Sequence, residues 1–342
     1  MKRIFWIGLA LVGVLALWQV YRLYQRVAAP GIFLGKETAI LYVETGTTFD
    51  ELHLELLDSG WIKDKPMLQI LAEKKGITEN LRPGRYRLRN HMSLNAFVNM
   101  LRGGLQEPVQ LVIRPERTFT EILPFLDRQL QPSKEELGEA LRNDSLLALA
   151  GLNREQAVLM VIPNTYEVWW TVSAEGFAER MLNEYQDFWN GQRREKAEEL
   201  GLTPAGVGIL ASIVQQETNK REEMSTIAGV YVNRLQRGML LQADPTVKFA
   251  AGCPGLRRVL SRHLKIDSPY NTYKYQGLPP GPIVMPEPFV IDAVLDAEDH
   301  EYIFFCARAD LSGYHAFART NAEHSRNARE YRRALNKRRI YQ

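Results

Sequence analysis

Residues 203–235 read TPAGVGILASIVQQETNKREEMSTIAGVYVNRL and predict two consecutive helices. Thr203 is a favourable N-cap, and Pro204 suits the first position of a helix. The apolar stripe of this helix is formed by residues at helical spacing, Leu210, Ile213 and Val214. A second helix is predicted from Met224 to Leu235.

Glu217 is predicted to be at the end of the first of these helices. It lies on the apolar stripe of that helix, because it is four residues after Ile213 and three after Val214. Moving a carboxyl group out of water disfavours its charged form and raises its pKa. A glutamate with an ordinary pKa near 4.3 can be raised towards about 6, which suits a general acid at neutral pH. The alternative is a helix-end glutamate that reaches solvent or pairs with Lys220 or Arg221. Position alone does not decide between these two interpretations.

The composition is that of a globular protein with two folded units. The chain has 342 residues, 45% of them hydrophobic and 24% charged. With 43 basic and 40 acidic side chains, it lacks the basic excess of a nucleic-acid binder. Its sequence has no Cys/His cluster at zinc-ligand spacing and no glycine-rich phosphate loop, so neither a metal nor a cofactor is predicted. Cys253 and Cys306 either form one disulfide or remain two unpaired residues.

An apolar segment from Ile4 to Val20 predicts a transmembrane helix. At about 1.5 Å per residue, it just reaches across a hydrocarbon core of roughly 30 Å. Residues 1–26 are therefore predicted to be an N-terminal membrane anchor. A cleaved signal peptide is the alternative, but the small pair Ala28-Ala29 is followed by Pro30, which makes a poor cleavage site. Basic residues flank the segment on both sides, so charge does not fix its orientation.

The remainder is expected to be α+β, with a linker at 27–37, a small module at 38–106 and a catalytic domain at 107–342. A short internal repeat indicates two similar strand–turn–helix segments, in which Thr48 and Glu51 of the first match Thr118 and Glu121 of the second. If the repeat is real, its two strands are expected to pair in one sheet or to lie in adjacent small modules. The β-α-α-β order predicted for the first module is that of a LysM-like module.

Three motifs in fixed order carry a resemblance to a known family: Ala211–Thr218, Ile227–Leu235 and Gly238–Val247. Three later segments extend it: Tyr270–Tyr273, Gly277–Ile283 and Gly313–His324. Over nearly its whole length the chain resembles the endolytic murein transglycosylase (MltG, YceG-like) family. This resemblance implies a lytic-transglycosylase-like helical core in a mixed α+β catalytic domain, a LysM-like module and a single membrane anchor.

The resemblance also implies the residues of the site. Glu217 would be the catalytic residue, and the proposed substrate-binding neighbours are Gln242, Asp244, Thr246, Asn233, Tyr270 and Asn271. One departure is Lys248-Phe249, where many relatives carry a tyrosine. The implied location is the bacterial inner membrane, crossed once, with the catalytic domain on the periplasmic or extracytoplasmic side. The implied partners are peptidoglycan glycan strands, the membrane and peptidoglycan synthases of elongation or division.

Ordinary glycosidases use two carboxylates, whereas here Glu217 has no obvious partner. Glu222 and Glu223 are expected to be exposed, and Asp244 to lie in a turn. A single carboxylate favours lytic transglycosylation of the MurNAc-GlcNAc bond in nascent strands, which leaves a 1,6-anhydroMurNAc end and can terminate strand elongation. The alternatives are a hydrolytic muramidase and a non-catalytic peptidoglycan-binding scaffold. The residues from Arg326 to Arg339 predict a basic surface helix, and His315 is interpreted as a structural histidine.

Overall fold

The structure is a computed structural model that describes residues 2–115, 118–253, 255–256 and 258–337. The chain folds into two compact units. Unit 1 comprises residues 1–111 with two short returns at 129–132 and 167–172, and unit 2 comprises 112–128, 133–166 and 173–342. Helices and strands are mixed in both units, which confirms the α+β class. The domain boundaries expected from the sequence stay a prediction.

Unit 1 begins with a long apolar helix, α1 (Lys2–Ala28). From Trp6 to Ala28 this helix is long and apolar enough to cross a membrane, and none of that span is buried in the protein. It therefore fits a single-pass membrane anchor.

The rest of unit 1 follows the β-α-α-β order expected from its sequence. Its elements are β1 (Thr38–Val43), α2 (Phe49–Asp58), α3 (Lys65–Lys75), β2 (Gly84–Arg89) and α4 (Leu94–Gly103). The strands pair antiparallel, from Thr38 opposite Arg89 to Val43 opposite Gly84. Alternate residues of both strands are buried, because successive side chains of a strand point to opposite faces of the sheet.

The core of unit 1 is formed by one sheet face and the helices packed on it. Its largest fully buried side chains include Leu41, Phe49, Leu52, Tyr86 and Phe97. Ile32 and Leu34, from the segment that the sequence predicts to be a linker, are also buried in this core. Hydrogen bonds from Ile32 N to Met92 O and from Leu34 N to Asn90 Oδ1, both at 3.0 Å, hold this segment in place.

A second two-stranded sheet pairs β3 (Val109–Val112) with β4 (Thr165–Val168). The strands of the internal repeat, β1 and β3, therefore lie in different sheets. The expected pairing of the two copies in one sheet is wrong, because each strand of the repeat has a partner from elsewhere in the chain. The capping boxes of the repeat are present, since Glu51 accepts a hydrogen bond from Thr48 N and Glu121 from Thr118 N, both at 2.8 Å.

Unit 2 is mainly helical. Its first helices are α5 (Phe119–Asp127), α6 (Lys134–Leu141), α7 (Asp144–Ala150), a 3₁₀ turn (Arg154–Met160), α8 (Ala174–Phe188) and α9 (Gly191–Glu199). Then come α10 (Pro204–Glu217), α11 (Arg221–Gln236), α12 (Asp244–Ala250), a 3₁₀ turn (His263–Lys265) and α13 (Pro288–Leu295). The chain closes with β5 (Phe304–Ala307), antiparallel to β6 (His315–Ala318), and with α14 (Asn321–Lys337).

Some local expectations need correction. Glu223 is not exposed: only 5% of it is accessible, and it accepts hydrogen bonds from the backbone N of His315 at 2.7 Å and from its Nδ1 at 3.2 Å. Cys253 and Cys306 are free thiols. Arg338 and Arg339 of the predicted basic helix lie outside the described residues.

The helix that carries Glu217, α10, lies at the centre of unit 2. Every residue from Ala205 to Val214 is buried, because α9, α11, α12 and α13 all pack against this helix. The sequence predicts a single apolar stripe, but the helix is buried on all sides. Its small residues permit this, since a Cβ at Gly208 would lie 2.9 Å from Leu159.

Ser212 is the buried polar residue that fixes α10 to the loop in front of α13. Its hydroxyl donates to Ile209 O at 2.7 Å and accepts from Ile283 N at 3.1 Å. We expect Ser212→Ala to lower the free energy of unfolding by about 1–3 kcal/mol, because the buried N–H of Ile283 loses its acceptor. Urea denaturation checks this, with Ser225→Ala on α11 as the control. Equal stability of the two variants would contradict the assigned role.

Candidate active site

Glu217 is the last residue of α10, and Thr218 after it is extended, with φ −148° and ψ 146°. The chain thus leaves the buried helix at Glu217, whose side chain is half-buried. The helix begins where Thr203 Oγ1 accepts a hydrogen bond from Gly206 N at 3.1 Å. The buried apolar helix α10 therefore carries the carboxyl group of Glu217 at its C-terminal end.

Tyr231 is the direct partner of this carboxyl group. Its hydroxyl donates a hydrogen bond to Glu217 Oε1 at 2.6 Å. Only 1% of Tyr231 is exposed, and its ring packs edge-on against Phe305 at 5.9 Å. A buried tyrosine hydroxyl usually requires a polar partner, and here that partner is the glutamate. The tyrosine fixes the orientation of the carboxyl group.

The surroundings of Glu217 favour its protonated form. Burial raises the pKa of Glu217 to about 7, the hydrogen bond from Tyr231 lowers it, and the negative charge of Asp244 raises it. The charges of Lys248 and Arg234 lower the same pKa. The direction agrees with the expectation from the sequence. Near neutral pH, the group is present both as an acid and as a base.

Asp244 is therefore a second carboxylate within electrostatic reach of Glu217. It begins α12, is exposed, and accepts a hydrogen bond from the Tyr273 hydroxyl at 2.7 Å. Burial and this bond to Asp244 raise the pKa of Tyr273. The sequence predicts Asp244 to lie in a turn, whereas the structure makes it the first residue of α12, and the structure adds its influence on the acid.

Arg234 supplies a buried positive charge beside the same group. Its guanidinium donates to Ile303 O at 2.6 Å and to Leu241 O at 2.6 Å, and lies 5.3 Å from the Phe304 ring centre. Burial lowers the pKa of Arg234. Arg234 thus connects α11 to the residue before β5 and to the segment before α12. It holds together the elements that surround Glu217.

Three of the predicted substrate-binding residues have their polar groups bonded inside the protein. Thr246 is fully buried, and its hydroxyl contacts Ala243 O and Thr272 Oγ1, both at 2.8 Å. Asn271 is also fully buried and donates to Leu264 O at 3.0 Å and Ile266 O at 2.8 Å. These side chains hold the loops in place.

Asn233 has a similar structural position. Its Nδ2 donates to His300 O at 2.6 Å and to Tyr302 O at 3.0 Å. These bonds connect α11 to the segment before β5, so the amide nitrogen is occupied within the protein.

The other two predicted residues are more accessible. Gln242 is exposed and has a positive φ of 52°, while its backbone N donates to Thr272 O at 3.1 Å. Tyr270 packs its ring on Phe249 at 4.7 Å, with 46° between the planes. Both are placed to present a side chain at the surface of unit 2.

A cleft of about 1020 Å³ lies beside the acid in unit 2. It is lined by residues from the end of α10, from α12 and from neighbouring loops, among them Gln216, Asn219, Lys248, Phe249 and Tyr270. Glu217 does not line the cleft itself, but Gln216 and Asn219, on either side of it in sequence, do. A second cleft of about 950 Å³ shares Phe119, Thr120, Arg142 and Arg154 with the first, so the two are adjacent.

One wall of the cleft depends on close backbone packing. A Cβ at Gly281 would lie 2.3 Å from Glu155 O and 2.9 Å from the Tyr270 hydroxyl. The glycine therefore lets the Pro/Gly-rich loop lie directly against the 3₁₀ turn. Gln215 fixes the other end of this loop, since its Oε1 accepts from Glu287 N at 2.7 Å.

Of the site residues, sequence reasoning missed Tyr231, Arg234 and Tyr273. A signal for Tyr231 was present, because it stands at helical spacing from Met224, Ile227 and Ala228, and this places its ring on a buried face. The sequence did not show that the hydroxyl of Tyr231 bonds to Glu217, because α10 and α11 come into contact only in the folded unit.

The fold and the site combine a central buried helix, a single acid held by a tyrosine and an adjacent cleft. Residues 41–330 match the model of the YceG-like family. The chain therefore belongs to the YceG-like family.

Two curated relatives from different bacteria have the same functional name. The chain is 26% identical over 315 residues to a Bacillus subtilis protein named endolytic murein transglycosylase, covering 86% of this chain and 85% of that protein. It is also 26% identical over 329 residues to a Streptococcus pneumoniae protein of the same name, covering 86% of this chain and 59% of that relative. A crystal structure of a yceG-like protein from Listeria monocytogenes superposes with a TM-score of 0.56 at 25% identity, covering 85% of this chain and 98% of that chain.

We expect Tyr231→Phe to raise the pKa of Glu217 further. A hydrogen bond to the charged carboxylate favours ionisation, and its removal leaves burial and Asp244 to disfavour it. With about 1 kcal/mol for such a bond, the rise is on the order of one pH unit. The ¹³C carboxyl shift of Glu217 followed against pH measures it, and Tyr331→Phe on α14 is the control. An unchanged or lower pKa would show that the bond does not act on the acid.

Proposed function

We propose that this chain is an endolytic peptidoglycan lytic transglycosylase that cleaves the MurNAc-GlcNAc glycosidic bond and leaves 1,6-anhydroMurNAc ends. The observation that carries the proposal is the half-buried carboxyl group of Glu217, with a pKa of about 7 and a hydrogen bond from Tyr231. The name shared by the two curated relatives supports the same reaction and substrate.

Glu217 acts first as a general acid. Its proton goes to the glycosidic oxygen as the bond from that oxygen to C1 of N-acetylmuramic acid breaks, leaving an oxocarbenium-like or N-acetyl-assisted intermediate. The carboxylate formed in this step then takes the proton of the C6 hydroxyl as its oxygen bonds to C1. The acid is regenerated, no water is consumed, and the strand ends in an anhydro ring.

Tyr231 and Asp244 have different roles in this mechanism. The hydroxyl of Tyr231 donates to one carboxyl oxygen, which leaves the other oxygen of Glu217 to carry the proton. The negative charge of Asp244 helps to keep that proton on Glu217 before the reaction. It also favours the positive charge that develops on the sugar ring. Asp244 therefore supports the reaction electrostatically, without a covalent step.

The two adjacent clefts suit a polymeric substrate, because an endolytic enzyme must hold sugars on both sides of the bond that it cleaves. We assign the accessible residues Gln242, Asp244 and Tyr270 to direct contact with the strand. We assign Thr246, Asn233 and Asn271 to holding the cleft wall, because their polar groups are already bonded within the protein.

The proposal extends to the arrangement of the chain. Residues 38–106 form a LysM-like module, supported by their β-α-α-β order. Residues 107–342 form the catalytic domain with a lytic-transglycosylase-like core around α10. With α1 in the inner membrane, the catalytic domain lies on the periplasmic or extracytoplasmic side, where it acts on nascent strands beside peptidoglycan synthases and can terminate their elongation.

We expect Glu217→Gln to lower glycan cleavage by roughly 10²–10⁴-fold, the usual contribution of general acid–base catalysis. Purified sacculi are digested with the wild type and the variant, and the products are measured by mass spectrometry. The exposed Glu222→Gln, five positions away, is the matched control.

The wild type is expected to give anhydro ends, which are lighter than hydrolysed ends by one water. Hydrated ends would instead identify a muramidase. Full activity of Glu217→Gln would remove this residue from the mechanism, and an inert wild type would support a peptidoglycan-binding scaffold.

The pH dependence of kcat/KM is expected to follow the protonation of Glu217. Only protonated Glu217 can donate, so the rate is expected to be level below about pH 7 and to fall about tenfold per pH unit above it. Because the charge of Asp244 raises the pKa of Glu217, Asp244→Asn should move this decline to lower pH. Initial rates between pH 4 and 9 on soluble glycan strands provide the test. A decline near pH 4.5, or no shift in Asp244→Asn, would contradict the assignment.

A further inference from the structure

The last turn of α1 belongs to the fold of unit 1. Arg26 donates to both carboxylate oxygens of Asp64, with Nη2 at 2.8 Å from Oδ1 and Nε at 3.0 Å from Oδ2. Asp64 in turn caps α3 by accepting from Met67 N at 3.2 Å. Val27 packs against the buried core. The helix end is thus joined to α3 by a bidentate ion pair and by apolar packing.

The residues directly after α1 are also part of this fold. Gly31 N and Ile32 N both donate to Met92 O at 3.0 Å, and Ile32 is fully buried. A Cβ at Gly31 would lie 2.4 Å from Leu94 Cγ, which is too close for any side chain. The backbone at Gly31 therefore packs directly against the start of α4. Only Ala29 and Pro30 separate the helix from this packed segment, which leaves no length for a flexible tether.

The ion pair lies close to the membrane surface if α1 spans the bilayer. Arg26 follows the end of the apolar segment, Val20, by about 9 Å at 1.5 Å per residue. The headgroup layer on each side of the hydrocarbon core is roughly 5–8 Å thick. The pair between Arg26 and Asp64 therefore lies at the outer edge of the headgroups.

Four residues around this point form what we term the juxtamembrane face: Phe33, Trp61, Lys63 and Lys65. Phe33 N donates to Trp61 O at 2.9 Å, and Lys63 Nζ lies 4.4 Å from the centre of the Phe33 ring. Both lysines are exposed, while the two aromatic rings are half-buried. Aromatic and lysine side chains together suit the membrane interface, where rings lie at headgroup level and ammonium groups attract anionic lipids.

We propose that the juxtamembrane face binds the headgroups of anionic phospholipids, and that α1 and the rest of unit 1 form one rigid body. The inference rests on the proposed role of α1 as a retained anchor. Unit 1 then has a fixed height and a fixed orientation at the membrane surface. Removal of α1 by cleavage after Ala29 would also remove Arg26 and Val27, so the same contacts argue against a signal peptide.

The test uses the full chain in phosphatidylglycerol vesicles, with Cys253 and Cys306 replaced by serine. A fluorophore on Pro66→Cys, next to Lys65, reports the juxtamembrane face. The control is a fluorophore on Glu44→Cys, beyond the far end of β1, a strand of about 20 Å. With a quencher on the lipid headgroup, we expect quenching at position 66 to be at least threefold stronger than at position 44.

Two variants test the two parts of the proposal. Four Gly/Ser residues inserted after Ala28 should lower quenching at position 66 to the level at position 44, because the joint is then flexible. Lys63→Gln with Lys65→Gln should lower quenching in phosphatidylglycerol vesicles but not in phosphatidylcholine vesicles. Lys74→Gln, at the other end of α3, is the matched control and should change nothing.

Equal quenching at positions 66 and 44, in protein that floats with the vesicles, would overturn the proposal. An unchanged signal after the insertion would overturn the rigid joint, and an unchanged signal in the double lysine variant would overturn headgroup binding. Protein that does not float would overturn the anchor itself. None of these readouts depends on glycan cleavage, so their failure is distinct from a failure of the proposed function.

Discussion

The site depends on one constraint: a carboxyl group is held at the end of a helix that is buried on every side. An ionised carboxylate is costly in such surroundings, so burial keeps a proton on Glu217 near neutral pH. Tyr231 limits this effect, because its hydrogen bond favours the charged form. The balance leaves an acid that can lose and regain one proton at little cost. A general acid that later becomes a base requires this property.

Several buried polar side chains of unit 2 hold this arrangement. Ser212, Thr246 and Asn271 are buried, and each bonds to backbone or to a neighbouring hydroxyl. These side chains thereby satisfy backbone groups of the loops around the cleft. Polar loop residues therefore do not all bind substrate. In this unit Thr246, Asn233 and Asn271 hold the loops, while Gln242, Asp244 and Tyr270 are more accessible.

The two units contribute different things to the proposed function. Unit 2 contains the acid and the cleft, and it is built around α10. Unit 1 contains the apolar helix and the β-α-α-β module, joined without a flexible segment at Gly31 and Ile32. A lytic enzyme that acts on new strands must remain where those strands are made. The packing and the ion pair between the apolar helix and the module support the proposed position at the membrane.

The sequence by itself determined α10 and α11, the Thr203 cap of α10 and the position of Glu217 on an apolar stripe, because these depend on residues three or four positions apart. The motifs also indicated the family. Only the tertiary structure decided that Tyr231 bonds to Glu217, that Asp244 acts on it electrostatically, and that Glu223 is buried with His315. It also showed that Ile32 belongs to a core and that the repeated strands lie in different sheets. Each of these facts depends on elements far apart in the chain, whose meeting no local spacing encodes.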